Sequence, residues 1–458
     1  MLARGFPSRC QIRGSPGNIL TRPYGQLCGL LCVTAVALRW DDHPINHSKQ
    51  WPPARTGLGL KGARMRGYST RLTGLFISCL LLAGCSGGAV PVGTTALPTQ
   101  QIAQAQGAAQ PVCPQIVGKP TCLALIGSKG GVSPTVGGLE PSDFQTRYNL
   151  PSSTKGSGQI VAIVDPYDNP NVASDLAAYR AEFGLGTANF TKYNQEGQTS
   201  NYPAGSTSWG LNKDLETEMV SAACPKCTIY LIEANSGDAI DLEAAELEAV
   251  KLGAHIVANG WICYNSNACV FSSDFDTPGV VYLAASGNEG YDEIGAPAAF
   301  ASVVAVGGTI LTKISSSDYN EVVWPDSGAG CATGVTKPSW QHDPDCASRT
   351  VADVSAVAQN VAIYDTYGYG GWFTSGGTAA ATALNAGVFG LAGNASSQNA
   401  AEHFWTMSKK KRNKELHYIS VGNDGSCGGE YLCQAGTKQF GTYSGPAGWG
   451  TPNGIKAY

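Results

Sequence analysis

The stretch GWFTSGGTAAATALNAGVFGLAG, residues 371–393, decides the fold. It predicts the end of a strand, a turn at Gly376 and Gly377, and a helix rich in small residues at 379–391. Glycines before a helix let the backbone turn sharply, and the first free N–H groups of the helix then point at whatever occupies the turn. Hydrolases often place a nucleophilic serine or cysteine there, whereas this sequence has Ala379. The turn is therefore either a packing turn or an active-site turn without its nucleophile.

The whole chain has the composition of a large folded protein. Its 458 residues leave room for a sizeable core, only 14% of them are charged, and 58 are glycine. The net charge of −4 provides no basic surface for nucleic acid, so we exclude nucleic-acid binding. We expect a compact, loop-rich, exported α/β protein that is a monomer.

A secretory signal lies inside the chain, where MRGYSTRLTGLFISCLLLAGCSGG begins at Met65. A basic start precedes an apolar run at 72–83, which is too short for a permanent membrane span. The motif LAGC at 82–85 is similar to the bacterial lipobox, which implies cleavage before Cys85 and lipidation of its thiol. An ordinary signal peptide that ends in cysteine is the alternative.

This signal sets the expected domain organisation. Residues 1–64 would be a non-native or mis-called extension, 65–85 a lipoprotein signal peptide, and 86–111 a flexible tether rich in Gly, Ala, Gln, Pro and Thr. The folded domain is expected at 112–458, with a short lead-in at 112–157. The predicted location is the bacterial cell envelope, with the protein lipid-anchored to the membrane or secreted.

The cysteines support export. Of the fifteen, those that precede or form the proposed lipidation point are Cys10, Cys28, Cys32, Cys79 and Cys85. The remaining ten fall into five close pairs, which in an exported chain predict disulfides that staple loops. The predicted pairs are Cys113 with Cys122, Cys224 with Cys227, Cys263 with Cys269, Cys331 with Cys346, and Cys427 with Cys433. The CxxC at 224–227 lacks a second ligand pair for zinc and a thioredoxin-like context for redox chemistry.

Apolar strands and helices alternate along the domain. Strands are expected at 158–165, 227–234, 255–260, 279–286 and 302–308, and helices at 170–185 and 238–254. This alternation predicts a parallel sheet with helices on both faces. Sites in such sheets lie beyond the carboxyl ends of the strands, where the sequence places Asp165, Asn288 and the turn at Gly376.

Six segments of residues 141–458, in order along the chain, carry a family resemblance. They are IVAIVDPYDNPNVASDLAAYRAEFGL, MVSAACPKCTIYLIEA, AASGNEGYDEIGAPAAFASVVAVGGT, KPSWQHD with CASRTVADVSAVA, SGGTAAATALNAGVFGLAGN and GPAGWGTPNG. In these segments the chain resembles the sedolisins, or serine-carboxyl peptidases. The resemblance implies the subtilisin-like fold, a doubly wound and mostly parallel sheet with helices on both faces.

The chain departs from the catalytic pattern of that family. The family's nucleophile motif is Gly-Gly-Thr-Ser, and here Thr378 is followed by Ala379. The family's catalytic Glu and Asp lie four residues apart on one helix, and the resemblance places Asn212 and Glu216 at those positions. This spacing puts both side chains on one helical face, where a carboxylate can accept the proton of a serine. Because Asn212 cannot take up a proton and Ala379 has no attacking atom, we expect the covalent step to be lost.

Other positions would assist or replace these groups. The resemblance puts Asn288 at the oxyanion position, where the family has Asp, and an amide can serve there. Asp165 matches the subtilisin-type catalytic Asp but has no histidine partner, so it is expected to be a polar strand-end residue. Ser375 and Thr378 are hydroxyls near the turn, but Ser375 would lie one helical turn too early and Thr378 is expected to pack or cap.

The family's calcium site is expected to be lost. The resemblance places Tyr418 and Ser444 where the family has aspartates, which leaves Asp424 and backbone carbonyls as ligands. We therefore expect no cofactor. Two charged helical runs, the acids Asp214, Glu216 and Glu218 and the basic residues at 408–415, are predicted to be solvated faces.

Three functional hypotheses follow. The favoured one is a catalytically inactive pseudopeptidase, a lipid-anchored surface protein that keeps its cleft for binding a peptide or protein. The second is an active serine-type acid endopeptidase with an unrecognised nucleophile. The third is a structural envelope protein whose cleft is filled, for instance by a bulky side chain such as Trp372.

Overall fold

A computed structural model describes residues 109–116, 118–127, 135–264, 269–397 and 399–458. The chain divides at Pro91 into two compact units, and every described residue belongs to the second, Val92–Tyr458. The predicted extension, the signal peptide, Cys85 and most of the tether therefore lie outside the described residues.

The bounds of the elements in the described part of the chain are as follows. The strands are β1 Gln110–Pro111, β2 Thr121–Cys122, β3 Leu125–Ile126, β4 Ile160–Pro166, β5 Asn189–Asn194, β6 Thr228–Ala234, β7 Ile256–Asn259, β8 Trp261–Tyr264, β9 Val281–Ala285, β10 Gly295–Ala296, β11 Val303–Lys313, β12 Tyr319–Val323, β13 Gly330–Thr336, β14 Ser348–Val351, β15 Val354–Val357, β16 Val361–Asp365, β17 Gly371–Gly376, β18 Leu416–His417 and β19 Thr451–Pro452. The α-helices are α1 Pro141–Arg147, α2 Val172–Glu182, α3 Thr207–Ala223, α4 Ala239–Lys251, α5 Thr378–Ala392, α6 Ala400–Thr406 and α7 Lys409–Glu415, and Ser272–Phe275 and Ala395–Ser397 are 3₁₀ turns.

The central sheet has eight strands, in the order β12-β11-β9-β7-β4-β6-β5 with β15 also paired to β11. Every pairing is parallel except that of β11 with β12. In most strands of this sheet, alternate residues enter two separate apolar cores, as the two-residue period of a strand requires. In β4, for example, Val161 and Ile163 join one core while Ala162 and Val164 join the other. The predicted doubly wound sheet covered on both faces is confirmed.

The helices divide between these two cores. Helices α3 and α5 pack against each other and share one core, and α4 buries Leu242 and Ala245 in the other. Small residues in α5 make the helix contact possible, because a methyl group on Gly387 would lie 2.7 Å from the Cβ of Ala223. Residues 371–393 thus form a strand, a turn and a close-packed core helix, as predicted.

The N-terminal part of the described chain belongs to two small sheets. Strand β2 pairs with β8, while β1 and β3 join β17 and β16 in the order β1-β3-β17-β16. The structure extends into residues predicted to form the tether, since Gln110 and Pro111 pair with Ile126 and Leu125. Through these short pairings, residues 121–126 lie between β8 and β17.

The disulfides follow the predicted pairing, and all five are confirmed. They join Cys113 to Cys122, Cys224 to Cys227, Cys263 to Cys269, Cys331 to Cys346, and Cys427 to Cys433. Close spacing along the chain was sufficient here because each bridge closes a loop of at most fifteen residues. Disulfides of this density are typical of exported proteins.

The basic run forms α7, which buries none of its residues, as predicted for a solvated helix. Its first turn is capped by Ser408, whose hydroxyl accepts the backbone N–H of Lys411 at 3.4 Å. Among the described residues, no helix has both the length and the apolar content needed to cross a bilayer.

Candidate active site

The glycine turn lies at the start of α5. Strand β17 ends at Gly376, Gly377 adopts a φ of 100°, and the helix begins at Thr378. A side chain at Gly377 would be strained and would also collide with the carbonyl oxygen of Leu123. Ala379, in the first turn of the helix, is fully buried. The chain therefore makes the sharp strand-to-helix turn that the sequence predicts, and a methyl group stands where the resemblance expects the nucleophile.

Asn288 lies beside this turn, in the loop after β9. Its Oδ1 accepts hydrogen bonds from the backbone N–H and the hydroxyl of Thr378, each at 2.9 Å. Its own backbone N–H donates to the hydroxyl oxygen of Tyr264 at 2.7 Å. With Oδ1 engaged in this way, the Nδ2 donates to the carbonyl oxygen of Leu123 at 2.9 Å. An amide fixed in this orientation is the donor that an oxyanion site requires.

Asn212 and Glu216 lie on one face of α3, as their spacing predicts. The Nδ2 of Asn212 donates to Oε2 of Glu216 at 2.8 Å and to Oδ2 of Asp165 at 3.0 Å. Its Oδ1 accepts the backbone N–H of Ala124 at 3.0 Å. Asn212, Glu216 and Asp165 are all fully buried. Asp165 thus stands at the end of β4, as expected, but it also belongs to the buried polar centre.

The two carboxyl groups of this centre influence each other's protonation. Burial raises the pKa of Glu216 well above its ordinary range, and the charge of neighbouring Asp165 raises it further. Burial likewise raises the pKa of Asp165, while the charge of buried Lys213 opposes that rise. Because two like charges that interact in a buried site cannot both ionise readily, the protonated form of Glu216 is favoured.

Gly260 makes room for this pair. A methyl group on Gly260 would lie 2.5–2.7 Å from the carboxyl atoms of Glu216, so the chain between β7 and β8 can pass here only without a side chain. The backbone at Gly260 therefore lies directly against the carboxyl group of Glu216.

The predicted solvated face of α3 is wrong. Asp214, Glu216 and Glu218 are all fully buried. Asp214 accepts the side-chain amide of Asn169 at 2.8 Å, and Glu218 accepts the backbone N–H of Tyr364 at 3.0 Å. Helix α3 is enclosed by protein, and its acids are bonded by partners distant in the sequence.

The two alternative hydroxyls are each engaged elsewhere. Ser375 lies in β17, before the turn, and its hydroxyl donates to the carbonyl oxygen of Leu125 at 2.7 Å. The hydroxyl of Thr378 bonds the carbonyl oxygen of Gly287 at 3.1 Å as well as Oδ1 of Asn288. In the described part of the chain, both hydroxyls donate to carbonyl or amide oxygens, which cannot act as a general base. The hydroxyl oxygen of Thr378 also accepts the backbone N–H of Gly287 at 3.3 Å.

Sequence reasoning missed the segment at 121–126, which it treated as part of a lead-in. Thr121 and Cys122 pair with β8, and the N–H of Leu123 donates to the carbonyl oxygen of Gly260 at 3.0 Å. Beyond Ala124, β3 pairs with β17. We call the space between β8 and β17 the cleft, and residues 121–126 the cleft strand. The one sequence signal here was the pairing of Cys113 with Cys122, which indicated a closed loop but not its position.

Trp372 does not fill the cleft. Its ring packs against Tyr179, Phe183 and Tyr364, with centroid distances of 5.9, 5.5 and 5.0 Å. What occupies the cleft is main chain. A groove of about 490 Å³, lined by Tyr264, Asn288 and Glu289, remains open beside the cleft strand.

The positions of the family's calcium ligands do not fit that ion. Tyr418 is half-buried, Ser444 is buried, and Asp424 supplies one carboxyl group whose pKa is raised by burial to about 9. Within the described ranges, no three acidic, histidine or cysteine side chains come together as metal ligands. Calcium sites normally need several charged or carbonyl oxygens in one shell.

Comparison with known proteins finds two curated peptidases that are similar to this chain. The chain is 26% identical to sedolisin of Pseudomonas sp. (strain 101) over 360 residues, which cover 69% of this chain and 60% of that protein. It is 29% identical to kumamolisin of Bacillus sp. (strain MN-32) over 286 residues, which cover 54% of this chain and 51% of that protein. The chain is therefore similar to peptidases of the sedolisin family. No family profile matches it.

A solved structure supports the fold. Pseudomonas sedolisin, a serine-carboxyl proteinase complexed with two molecules of pseudo-iodotyrostatin, matches with a TM-score of 0.60 at 22% identity. The match covers 70% of this chain and 96% of that one. The subtilisin-like fold is therefore confirmed, while the chain spans less than two thirds of the length of the two curated relatives.

The raised pKa of Glu216 makes the free energy of unfolding depend on pH. A carboxyl whose folded pKa is raised contributes stability below its ordinary value of 4.5 and loses it as the pH rises through the folded value. In Glu216→Gln an amide can donate to Asp165 without titrating. We expect the free energy of unfolding of this variant, measured by urea denaturation, to change less with pH above 4.5 than that of the wild type. The exposed Glu182→Gln is the control, and parallel profiles for wild type and Glu216→Gln would contradict the raised pKa of Glu216.

Proposed function

We propose that the chain is a catalytically inactive sedolisin-family protein, exported and lipid-anchored at Cys85, whose cleft holds peptide chain without cutting it. The observation that carries this proposal is the presence of both Ala379 and Asn212 at the cleft, which leaves neither a nucleophile nor a proton acceptor at these positions. Peptide hydrolysis by serine-carboxyl chemistry needs a nucleophilic oxygen, a group that accepts its proton, and a donor to the oxyanion. Of these, the chain keeps the oxyanion donor in Asn288.

The contacts of Asn212 support the loss of proton transfer. Its Nδ2 faces the carboxylates of Asp165 and Glu216, and its Oδ1 accepts an N–H. In an active centre the acid at this position would take a proton from the nucleophile and pass it to the leaving nitrogen. An amide cannot do either at ordinary pH. The carboxyl groups of Asp165 and Glu216 remain beside Asn212, but Ala379 provides no hydroxyl for them to activate.

Export and anchoring rest on different observations. The disulfides are typical of an oxidising compartment. The lipid anchor is proposed from the LAGC motif that ends at Cys85. Together they would place an inert peptide-holding domain on the outer side of a membrane.

We expect the full chain to leave a peptide library uncut between pH 3 and pH 7, because the hydroxyls of Ser375 and Thr378 bond carbonyl and amide oxygens rather than a base. Mass spectrometry of the library after incubation measures this. The control variants are Ser375→Ala and Thr378→Ala. Reproducible cleavage by the wild type that disappears in either variant would refute inactivity and identify the nucleophile.

We also expect Ala379→Ser alone to restore no turnover. The new hydroxyl would still lack a proton acceptor, since Asn212 would remain in the position of the general base. Release of a fluorogenic peptide product, compared with that of the wild type, measures the outcome. Appreciable turnover by this single variant would show that Asn212 does not occupy the general-base position.

A further inference from the structure

The cleft strand is held on both edges by backbone hydrogen bonds. On one side, β2 pairs Thr121 with Ile262 and Cys122 with Trp261 in β8. On the other side, β3 pairs with the end of β17. An extended segment bound in this way completes two sheets, which is how proteins recognise peptides by β-strand addition.

The register of this strand places one peptide bond between the side chains of Asn288 and Asn212. The carbonyl oxygen of Leu123 accepts from Nδ2 of Asn288 at 2.9 Å, and the N–H of Ala124 donates to Oδ1 of Asn212 at 3.0 Å. The first contact is the one a scissile carbonyl would make with an oxyanion donor. The second is made by the nitrogen that would leave. The Leu123–Ala124 bond therefore lies where a substrate bond would lie.

The side chains of the strand fit the same position. Leu123 and Leu125 are 3% and 5% exposed, and Ala124 is fully buried between them. All three belong to the apolar core that also contains Ala379 and Leu215. The cleft thus accommodates a leucine, a small residue and a second leucine in sequence.

A disulfide fixes the strand in this register. The Cys113–Cys122 bond closes a loop directly before Leu123. The chain at Val112 folds back on the strand, because its N–H donates to the carbonyl oxygen of Ala124 at 3.2 Å, and the hydroxyl of Thr121 donates to the carbonyl oxygen of Pro114 at 3.0 Å. A segment clamped in this way is already ordered for binding, so little entropy is lost when it enters the cleft.

We propose that the cleft strand, clamped by its disulfide to Cys113, is an internal pseudosubstrate that fills the cleft in substrate register and excludes other peptides. This rests on the proposed inactivity, because an active centre would cut the Leu123–Ala124 bond. A covalently linked segment competes at an effective concentration on the order of millimolar. A peptide partner can therefore enter only when the cleft strand leaves, and that partner is an extended peptide with the pattern leucine, small residue, leucine.

A binding experiment tests occupancy. The probe is a fluorescein-labelled peptide of residues 119–127 with serine in place of Cys122, followed by anisotropy. We expect the double variant Leu123→Asp with Leu125→Asp to expel its own strand and to bind this probe at least about ten-fold more tightly than the wild type. The matched control is a probe carrying aspartate at both leucine positions, which should bind neither protein. Equal binding of the first probe by both proteins, or its failure to bind the folded variant, would overturn the proposal.

Hydrogen exchange tests the same proposal without replacing Leu123 or Leu125. We expect slow exchange of the Leu123 and Ala124 amides in the wild type, and exchange about ten-fold faster in the double variant Cys113→Ser with Cys122→Ser. The control Cys427→Ser with Cys433→Ser removes a disulfide elsewhere and should leave both amides slow. Unprotected amides in the wild type, or equal rates in the two variants, would refute the clamped pseudosubstrate. Neither outcome depends on turnover, so peptide cleavage in the library assay would refute inactivity separately.

Discussion

The rest of the site depends on the hydrogen bonds made by the side-chain amide of Asn212. Its nitrogen bonds the carboxyls of Asp165 and Glu216, and its oxygen bonds the N–H of Ala124. One buried amide therefore joins the end of β4, helix α3 and the cleft strand.

This amide also gives the cleft a different chemical character. A glutamic acid there would exchange protons, whereas the amide has a fixed donor side and a fixed acceptor side. The Asn212 amide and Asn288 can together orient the Leu123–Ala124 bond, but the amide cannot transfer a proton to that bond. A binding site needs only to orient the peptide bond, whereas a hydrolase must also transfer a proton to it.

Much of the fold was predictable from local sequence. Alternating apolar strands and helices indicated the parallel sheet, close cysteine spacing indicated the five disulfides, and four-residue spacing put Asn212 and Glu216 on one face. Two features were not predictable. Closely spaced acids in α3 resemble a solvated face, and their burial is decided by partners such as Asn169 and Tyr364, which no local pattern reveals. The cleft strand pairs with residues far along the chain, and short strands of this kind carry little periodicity.

The central claim is that Ala379 and Asn212 keep the Leu123–Ala124 bond intact. Restoring both groups by Ala379→Ser with Asn212→Glu should reverse this. The new serine hydroxyl would attack the Leu123 carbonyl carbon and give its proton to the new glutamate, which would pass it to the Ala124 nitrogen as the bond breaks. Water would then hydrolyse the ester. The direct measurement is the intact mass of this double variant after incubation at pH 3–7, with the wild type alongside. The account predicts one break, between Leu123 and Ala124, in the double variant alone. A break at another bond, or a double variant that stays whole, would contradict it.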